Sequence, residues 1–597
     1  MKKEILRSEQ KKEFTWDLEK VYPSMEEYNQ DYEKVKKLTE ELSSFRGHLL
    51  ENSSKLLEFF EKSEEAERLI CKLGTYAVRK FDEDISNTES QTLYGQFEQL
   101  EVNYSENTSF FVPEMLKSEL DTVLKIVEEN KKLASYELLI RRIFREKSYT
   151  LSESEEKILS SLQVALGTGS KVAGTIRNSE LQFGTILDEN NQEVRLTNEN
   201  YLVYNKSSNR RVRKDAFMMM YNSYKKYKET LTETFQGYIA ARSTINRLRG
   251  FKNSKEASLF HNRVPVQVYD NLIDTVHKRM DVMYQYIQLK KDVLKLDDFS
   301  LYDTYVNLET DVDKTYSFEE AKNIVLDVVQ VFGEDYVSNI KKAFSERWID
   351  VYPNKGKRGG AYSAGSYDTF PYVLLNFQGN YHDVSTLAHE LGHSMHTYYS
   401  NKNNSYNYSN YKIFVAEVAS TVNEMLLNYY MLEHSKDKNE KRAILSEMME
   451  LFKSTIYRQT MFSEFEDYAF STYEKTGVLT NEMLCDKYFE LNKEYFGNSV
   501  VVNDEIRYEW ERVPHFYYNF YVYQYATGLS AACYIVNRIR NKEEHAIEDY
   551  LNFLKTGDSL DPVEELQVAG VNMLDASVIH KALDMFEELI NEYKNLL

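Results

Sequence analysis

The chain has 597 residues, 42% of them hydrophobic and 28% charged, which is the composition of a folded globular protein rather than a membrane-embedded or disordered one. Seventy-four basic residues against 95 acidic ones leave a net charge of −21, a field that repels phosphate backbones and anionic lipid, so neither nucleic acid nor a membrane is expected as a partner. Only 7 prolines and 21 glycines are present to stop helices, which predicts a mainly α protein and excludes an all-β sandwich.

The opening MKKEILRSEQKKEFTWDL lacks the apolar core of a secretory signal, and no window offers the roughly 18 apolar residues of a membrane span. Cys71, Cys485 and Cys533 are too few and too far apart for a disulfide framework, and a cytoplasmic location is expected. From Tyr22 to about Ile176 apolar residues recur at helical spacing, as in Leu56, Leu57, Phe59 and Phe60, predicting antiparallel helices. Breaks are read at Asn52-Ser53-Ser54, around Pro113 and at Gly167-Thr168-Gly169-Ser170. The last is taken to divide an N-terminal helical domain, 1–170, from a second domain, 171–597. Leu181–Ile186 and Glu193–Leu196 flank a polar turn and read as a short hairpin.

Long amphipathic patterns resume from about Asn198 to Phe344, with a break near Pro265. The stretch Asn354–His393 then gathers six of the 21 glycines and reads as loop before a helix. Within it Pro371–Phe377 is a Pro-led apolar run, read as a strand at a sheet edge. Gly356-Lys357 does not open a phosphate-binding loop, because Arg358 stands where serine or threonine is required.

His389-Glu390-Leu391-Gly392-His393 is the HExxH pattern, in which two imidazoles four residues apart share a helix face and reach one zinc ion. Zinc lowers the pKa of water from about 16 toward about 7, and the carboxylate of Glu390 is the candidate general base. Asp383 is read as the cap of that helix. Catalytic zinc takes three protein ligands. His396 lies about 10 Å along the axis from His389, too far to join the ion. In a second predicted helix Glu417, Ser420 and Glu424 share a face. Glu417 is the expected third ligand, and Glu424 the acceptor behind a ligand.

Peptide hydrolysis also needs donors for the oxyanion. Pro514–Gly528 packs one histidine and five tyrosines into fifteen positions. His515 is a candidate there, and helical spacing would put Tyr518, Tyr521 and Tyr525 on one face, lining a substrate groove.

TWDL near the start, GGAYSAGSYDTFPYVLLNF, AHELGHSMH, FVAEVAST with a glutamate seven residues after its own, and PHFYYNFYVYQYATG together resemble the oligoendopeptidase F family, in the thimet-oligopeptidase-like group of zinc metallopeptidases. The resemblance spans nearly the whole chain. It implies one zinc ion on His389, His393 and Glu417, Glu390 as general base and Glu424 in support. His515 with Tyr518 or Tyr525 would contact the tetrahedral intermediate. It also implies a helical body split by a deep channel with a small β element near the zinc, and short unstructured peptides as substrates. Gly360, Ala361 and Tyr362 would lie near bound peptide, with Tyr521, and the strand begun by Tyr372 would pair with its backbone. The expected activity is endopeptidase. A metal-dependent carboxypeptidase and a non-catalytic helical peptide-binding protein are the alternatives.

Overall fold

The computed structural model describes residues 5–309 and 314–597. Helices dominate it. Among the described residues the strands are five short ones: β1 (Thr185–Leu187), β2 (Glu193–Arg195), β3 (Ile349–Asp350), β4 (Tyr362–Ala364) and β5 (Tyr372–Leu374). The helices that matter below are α1 (Met25–Ser43), α2 (Ser53–Glu83), α3 (Thr88–Thr108), α4 (Tyr381–Asn403), α5 (Ile413–His434), α6 (Arg458–Thr476) and α7 (Tyr523–Arg540). The mainly α class expected from the sparse prolines and glycines is what is found.

The chain forms two compact units. The first takes Met1–Thr150, Lys314–Leu427 and Arg538–Gly570; the second takes Leu151–Asp313, Asn428–Asn537 and Val571–Leu597. Each unit is assembled from three stretches of chain, so neither follows the linear division at about residue 170. Gly167 is only a joint: one helix ends at Leu166 and the next begins at Thr168.

In the first unit, α1, α2 and α3 each begin at a side chain that accepts a backbone N–H: Ser24, Asn52 and Asn87. Their apolar faces supply Tyr28, Val35, Ile70, Leu73 and Phe97 to a core that also contains Trp16 and the β5 residues Tyr372 and Leu374. Fully burying one such side chain contributes about 1.5–3 kcal/mol. Trp16, from the TWDL stretch, donates its indole N–H to the Val373 carbonyl at 2.7 Å, and the Tyr372 hydroxyl donates to the Asp17 carbonyl at 3.0 Å. The N-terminal helices thus brace β5.

β5 is not an edge. It pairs parallel with β3 (Ile349 opposite Val373) and antiparallel with β4 (Ser363 opposite Val373), giving the order β3-β5-β4. Pro371 precedes the first strand residue, so its missing N–H leaves the ladder intact. With both flanks occupied and Tyr372 fully buried, neither β5 nor the Tyr372 side chain can take up a peptide. The outer edge of the sheet on this side is β4.

In the second unit β1 and β2 form the expected antiparallel hairpin, with Ile186 opposite Val194. Its helices close around a buried Glu509 carboxylate that accepts from Tyr221 and Arg458, each at 2.7 Å, and from Tyr488 at 2.6 Å.

Candidate metal centre

The helix α4 starts one turn earlier than Asp383. Asn380 is the capping residue, its side chain accepting from the Asp383 N–H at 2.9 Å. The Asp383 carboxylate in turn accepts from the N–H groups of Gln378, Gly379 and Asn380. Asp383 is therefore the reciprocal partner of the cap, three residues into the box. Val384, Leu387, Ala388, Leu391 and Met395 are buried along the helix, and His389 and His393 are partly buried.

Gly392, between the two histidines, is where α5 crosses. A Cβ there would lie 2.6 Å from the Ala419 carbonyl oxygen and from the Ser420 Cα, so only glycine lets the helices approach this closely. Asn423 of α5 fixes the register by donating to the Ala388 carbonyl at 3.2 Å. This close crossing delivers Glu417. Its Oε2 lies 3.3 Å from both His389 Nε2 and His393 Nε2, and the ligand atoms of the three residues all lie within 4.8 Å of one another. Two imidazoles and a carboxylate converging at this spacing fit a divalent metal with room for a further ligand.

The surrounding bonds orient those ligands. Ser420 Oγ donates to Glu417 Oε2 at 3.0 Å. Glu424 Oε2 is 3.1 Å from His389 Nδ1, and its Oε1 accepts from Ser385 Oγ at 3.2 Å, so His389 presents Nε2 to the cluster. Burial opposes the charged form of His389, but its bonds to Glu417 and Glu424 outweigh this and lift it to about 10. Burial likewise pushes Glu417 up, yet the two histidines hold it well below the usual carboxylate range. A cation in their place would take over the protons' role.

Glu390 is 6% exposed, and its Oε2 is buried without a hydrogen-bond partner among the described residues. Burial raises its pKa, with the nearby charges of His389 and His393 pulling the other way. A buried carboxyl oxygen beside such a cluster is chemically able to accept a proton. His396 is excluded from the cluster: it is fully buried, stacked at 3.8 Å on Tyr411, and burial lowers it to about 3.

β4 packs beside α4, with the Ser363 and Ser394 hydroxyls 2.8 Å apart. The glycine loop before β4 is clasped by Asn376, whose amide donates to the carbonyls of Arg358 (3.0 Å) and Gly360 (2.8 Å). The Tyr362 hydroxyl is committed to Asp82 at 2.6 Å.

In the second unit, Pro514–Gly528 is not one helix. A short 3-10 turn covers Pro514–Tyr517, Asn519 and Phe520 have positive φ, and α7 begins only at Tyr523. The four rings nevertheless cluster: His515 lies 5.6 Å from Tyr518, 6.3 Å from Tyr521 and 6.1 Å from Tyr525. His515 is half-buried, which lowers its pKa, and Tyr518 is 58% exposed. Sequence reading missed Gly392, Asn423 and Ser385. A glycine inside a helical pattern is the one signal that was present.

Comparison with known proteins matches residues 203–585 to the model of peptidase family M3, and residues 114–183 to one described as oligopeptidase F. The chain belongs to peptidase family M3. Oligopeptidase PepF of Bacillus subtilis is 40% identical to this M3 chain over 591 residues, covering 99% of it and 88% of the relative. Group B oligopeptidase PepB of Streptococcus agalactiae is 36% identical, covering 99% and 98%. The crystal structure of oligoendopeptidase-F from Enterococcus faecium has a TM-score of 0.75 at 32% identity, over 96% of this chain and 99% of that one. The likeness carried by the TWDL, HELGH and PHFYYNF stretches is borne out. No helix among the described residues is long and apolar enough to cross a membrane.

Proposed function

We propose that this M3 chain is a zinc-dependent endopeptidase that cuts internal bonds of short, unstructured peptides, with one zinc ion on His389, His393 and Glu417. The observation that carries this reading is the convergence of those three ligand atoms within 4.8 Å beside the unpartnered Oε2 of buried Glu390. A bound zinc ion supplies Lewis acidity, polarising a peptide carbonyl and making water acidic near neutral pH.

The chain's own residues do the rest. Glu390 accepts the proton of the attacking water at Oε2 and returns it to the leaving amine; its raised pKa suits both transfers. Glu424 and Ser385 hold His389 by its Nδ1 side, and Ser420 holds the Glu417 carboxylate. His515 with Tyr518 or Tyr525 donates hydrogen bonds to the oxyanion, and Tyr521 lines the substrate; what supports this is the clustering of the four rings around one imidazole. An extended peptide adds to the outer edge of β4, with Tyr362 at its start and Gly360 and Ala361 of the loop before it contributing backbone groups. Backbone pairing of this kind suits a peptidase with little side-chain preference. A cytoplasmic location accords with Cys71, Cys485 and Cys533 forming no disulfide.

The test is zinc content together with mass spectrometry of products from two peptide pools, one with blocked and one with free termini. Internal cleavage by the zinc-loaded protein, abolished in Glu390→Gln, is expected. Cleavage only of unblocked C-termini would establish a carboxypeptidase instead.

A further inference from the structure

Asn519 (φ 52°) and Phe520 (φ 56°) are consecutive non-glycine residues in the left-handed region, a conformation that L side chains rarely adopt and that persists only where the surroundings impose it. The imposing group comes from α6. The Phe520 N–H donates to Glu466 Oε1 at 2.6 Å, and Glu466 is fully buried. Its other oxygen, Oε2, has no hydrogen-bond partner among the described residues. Burial pushes this carboxyl up to about 8, against the pull of the Phe520 N–H.

A buried carboxyl is costly to keep in a core unless it is paired, and among the described residues no ion pair to Glu466 is found. What it touches is the turn. The Phe520 ring packs 5.0 Å from Phe470, one helical turn beyond Glu466, and 5.8 Å from Tyr269, while Ser258 donates to the Asn519 carbonyl at 2.8 Å. The reversal at residues 519 and 520 is also what folds the chain after it onto the chain before it. His515 and Tyr518 precede it, Tyr521 and Tyr525 follow, and the rings of His515 and Tyr521 lie nearly parallel at 13°.

We propose that Glu466 is a positioning residue, whose carboxyl oxygen holds the left-handed Asn519-Phe520 turn and thereby places Tyr521 and Tyr525 against His515 and Tyr518. The catalytic part of this inference rests on the reading that those rings serve the oxyanion.

The experiment compares Glu466→Met, which keeps the volume but removes the acceptor, with Glu466→Gln, which keeps the oxygen. Hydrogen exchange over residues 513–525, zinc content, kcat and KM on a quenched peptide are measured for each. Glu466→Met is expected to lose protection in that segment and about 100-fold in kcat, with zinc content and KM within about twofold of the parent. Glu466→Gln is expected to keep protection and to stay within about threefold in kcat, because its carbonyl still accepts from Phe520. Adding Asn519→Gly to Glu466→Met should restore part of kcat, since glycine takes a positive φ without penalty. Wild-type protection and kcat in Glu466→Met, or a Glu466→Gln variant as impaired as Glu466→Met, would overturn the proposal. Should Glu466→Met fail to fold, Glu466→Gln decides: lost protection or kcat there overturns it, and retention supports it. A wild-type protein that cleaves no peptide would refute the peptidase reading, while the exchange comparison would still decide what Glu466 holds.

Discussion

Gly392 of the HELGH helix lies against Ala419 of the neighbouring helix so closely that a Cβ would come within 2.6 Å of the Ala419 carbonyl oxygen. The contact sits one residue before His393 and two residues after Glu417, so the approach of the two backbones and the gathering of the candidate ligands are a single geometric event.

Substituting Gly392→Ala should therefore weaken the metal centre without touching a ligand. The helices must part, moving Glu417 away from the imidazoles. Zinc affinity is expected to fall by about 10–100-fold, and stability by about 1–3 kcal/mol from overpacking. Chelator competition and urea denaturation of the zinc-free protein measure the two effects separately.

Binding and proton transfer should separate among the glutamates. Glu390→Gln is expected to keep zinc while turnover drops by about 10²–10⁴-fold. Glu424→Ala should loosen zinc by about 10–100-fold through the freed His389 ring. His389→Ala should lose the metal altogether. Metal analysis after dialysis, alongside initial rates, distinguishes the three; a zinc-free Glu390→Gln protein would make that residue a ligand rather than a base.

Trp16→Phe should cost about 1–2 kcal/mol, the worth of an indole donor taken from a buried carbonyl. The carbonyl is that of Val373, 2.7 Å away in the central strand. Denaturant unfolding gives the number, and an unchanged midpoint would show that the TWDL stretch does not brace the sheet.

His277 offers a pH dependence of stability. Its Nε2 is 2.7 Å from Glu464 and its Nδ1 3.1 Å from Glu494, and chiefly the Glu464 hydrogen bond raises its pKa above the ordinary 6.5. Burial pushes Glu464 up, but the bond to His277 outweighs it and holds it below 4.5. A raised imidazole stabilises the fold fully below its unfolded value and loses that contribution as pH rises through the folded one; a lowered carboxylate contributes only above its unfolded value. The melting temperature of the wild type should thus exceed that of His277→Gln most between pH 4.5 and 6.5, with the gap narrowing above 6.5. A gap that widens toward alkaline pH would refute the pairing.

The legible parts of this chain are those whose signal is local. The two histidines and Glu390 follow from one helical turn, and the β1-β2 hairpin from apolar runs around a polar turn. What stayed hidden depends on partners far away in sequence. β5 looks like an edge because its neighbours, Ile349–Asp350 and Tyr362–Ala364, are too short to show a period of their own. Pro514–Gly528 has helical spacing throughout; Asn519 is a residue type that tolerates a left-handed turn, but Phe520 is not, and the acceptor that holds it there, Glu466, is 54 residues away in sequence. An acidic residue near a helix start is ambiguous between the capping position and its reciprocal partner, and Asp383 is the latter.

The sheet's outer rail, β4, is three residues long. On the proposed reading, so brief a ladder would give a guest chain only a few main-chain bonds, enough to align a strand and too few to retain it, which would favour rapid departure of the fragments after a cut. The same brevity offers a second copy of the protein only a short template for stacking, which is one way an edge strand is kept from seeding fibres.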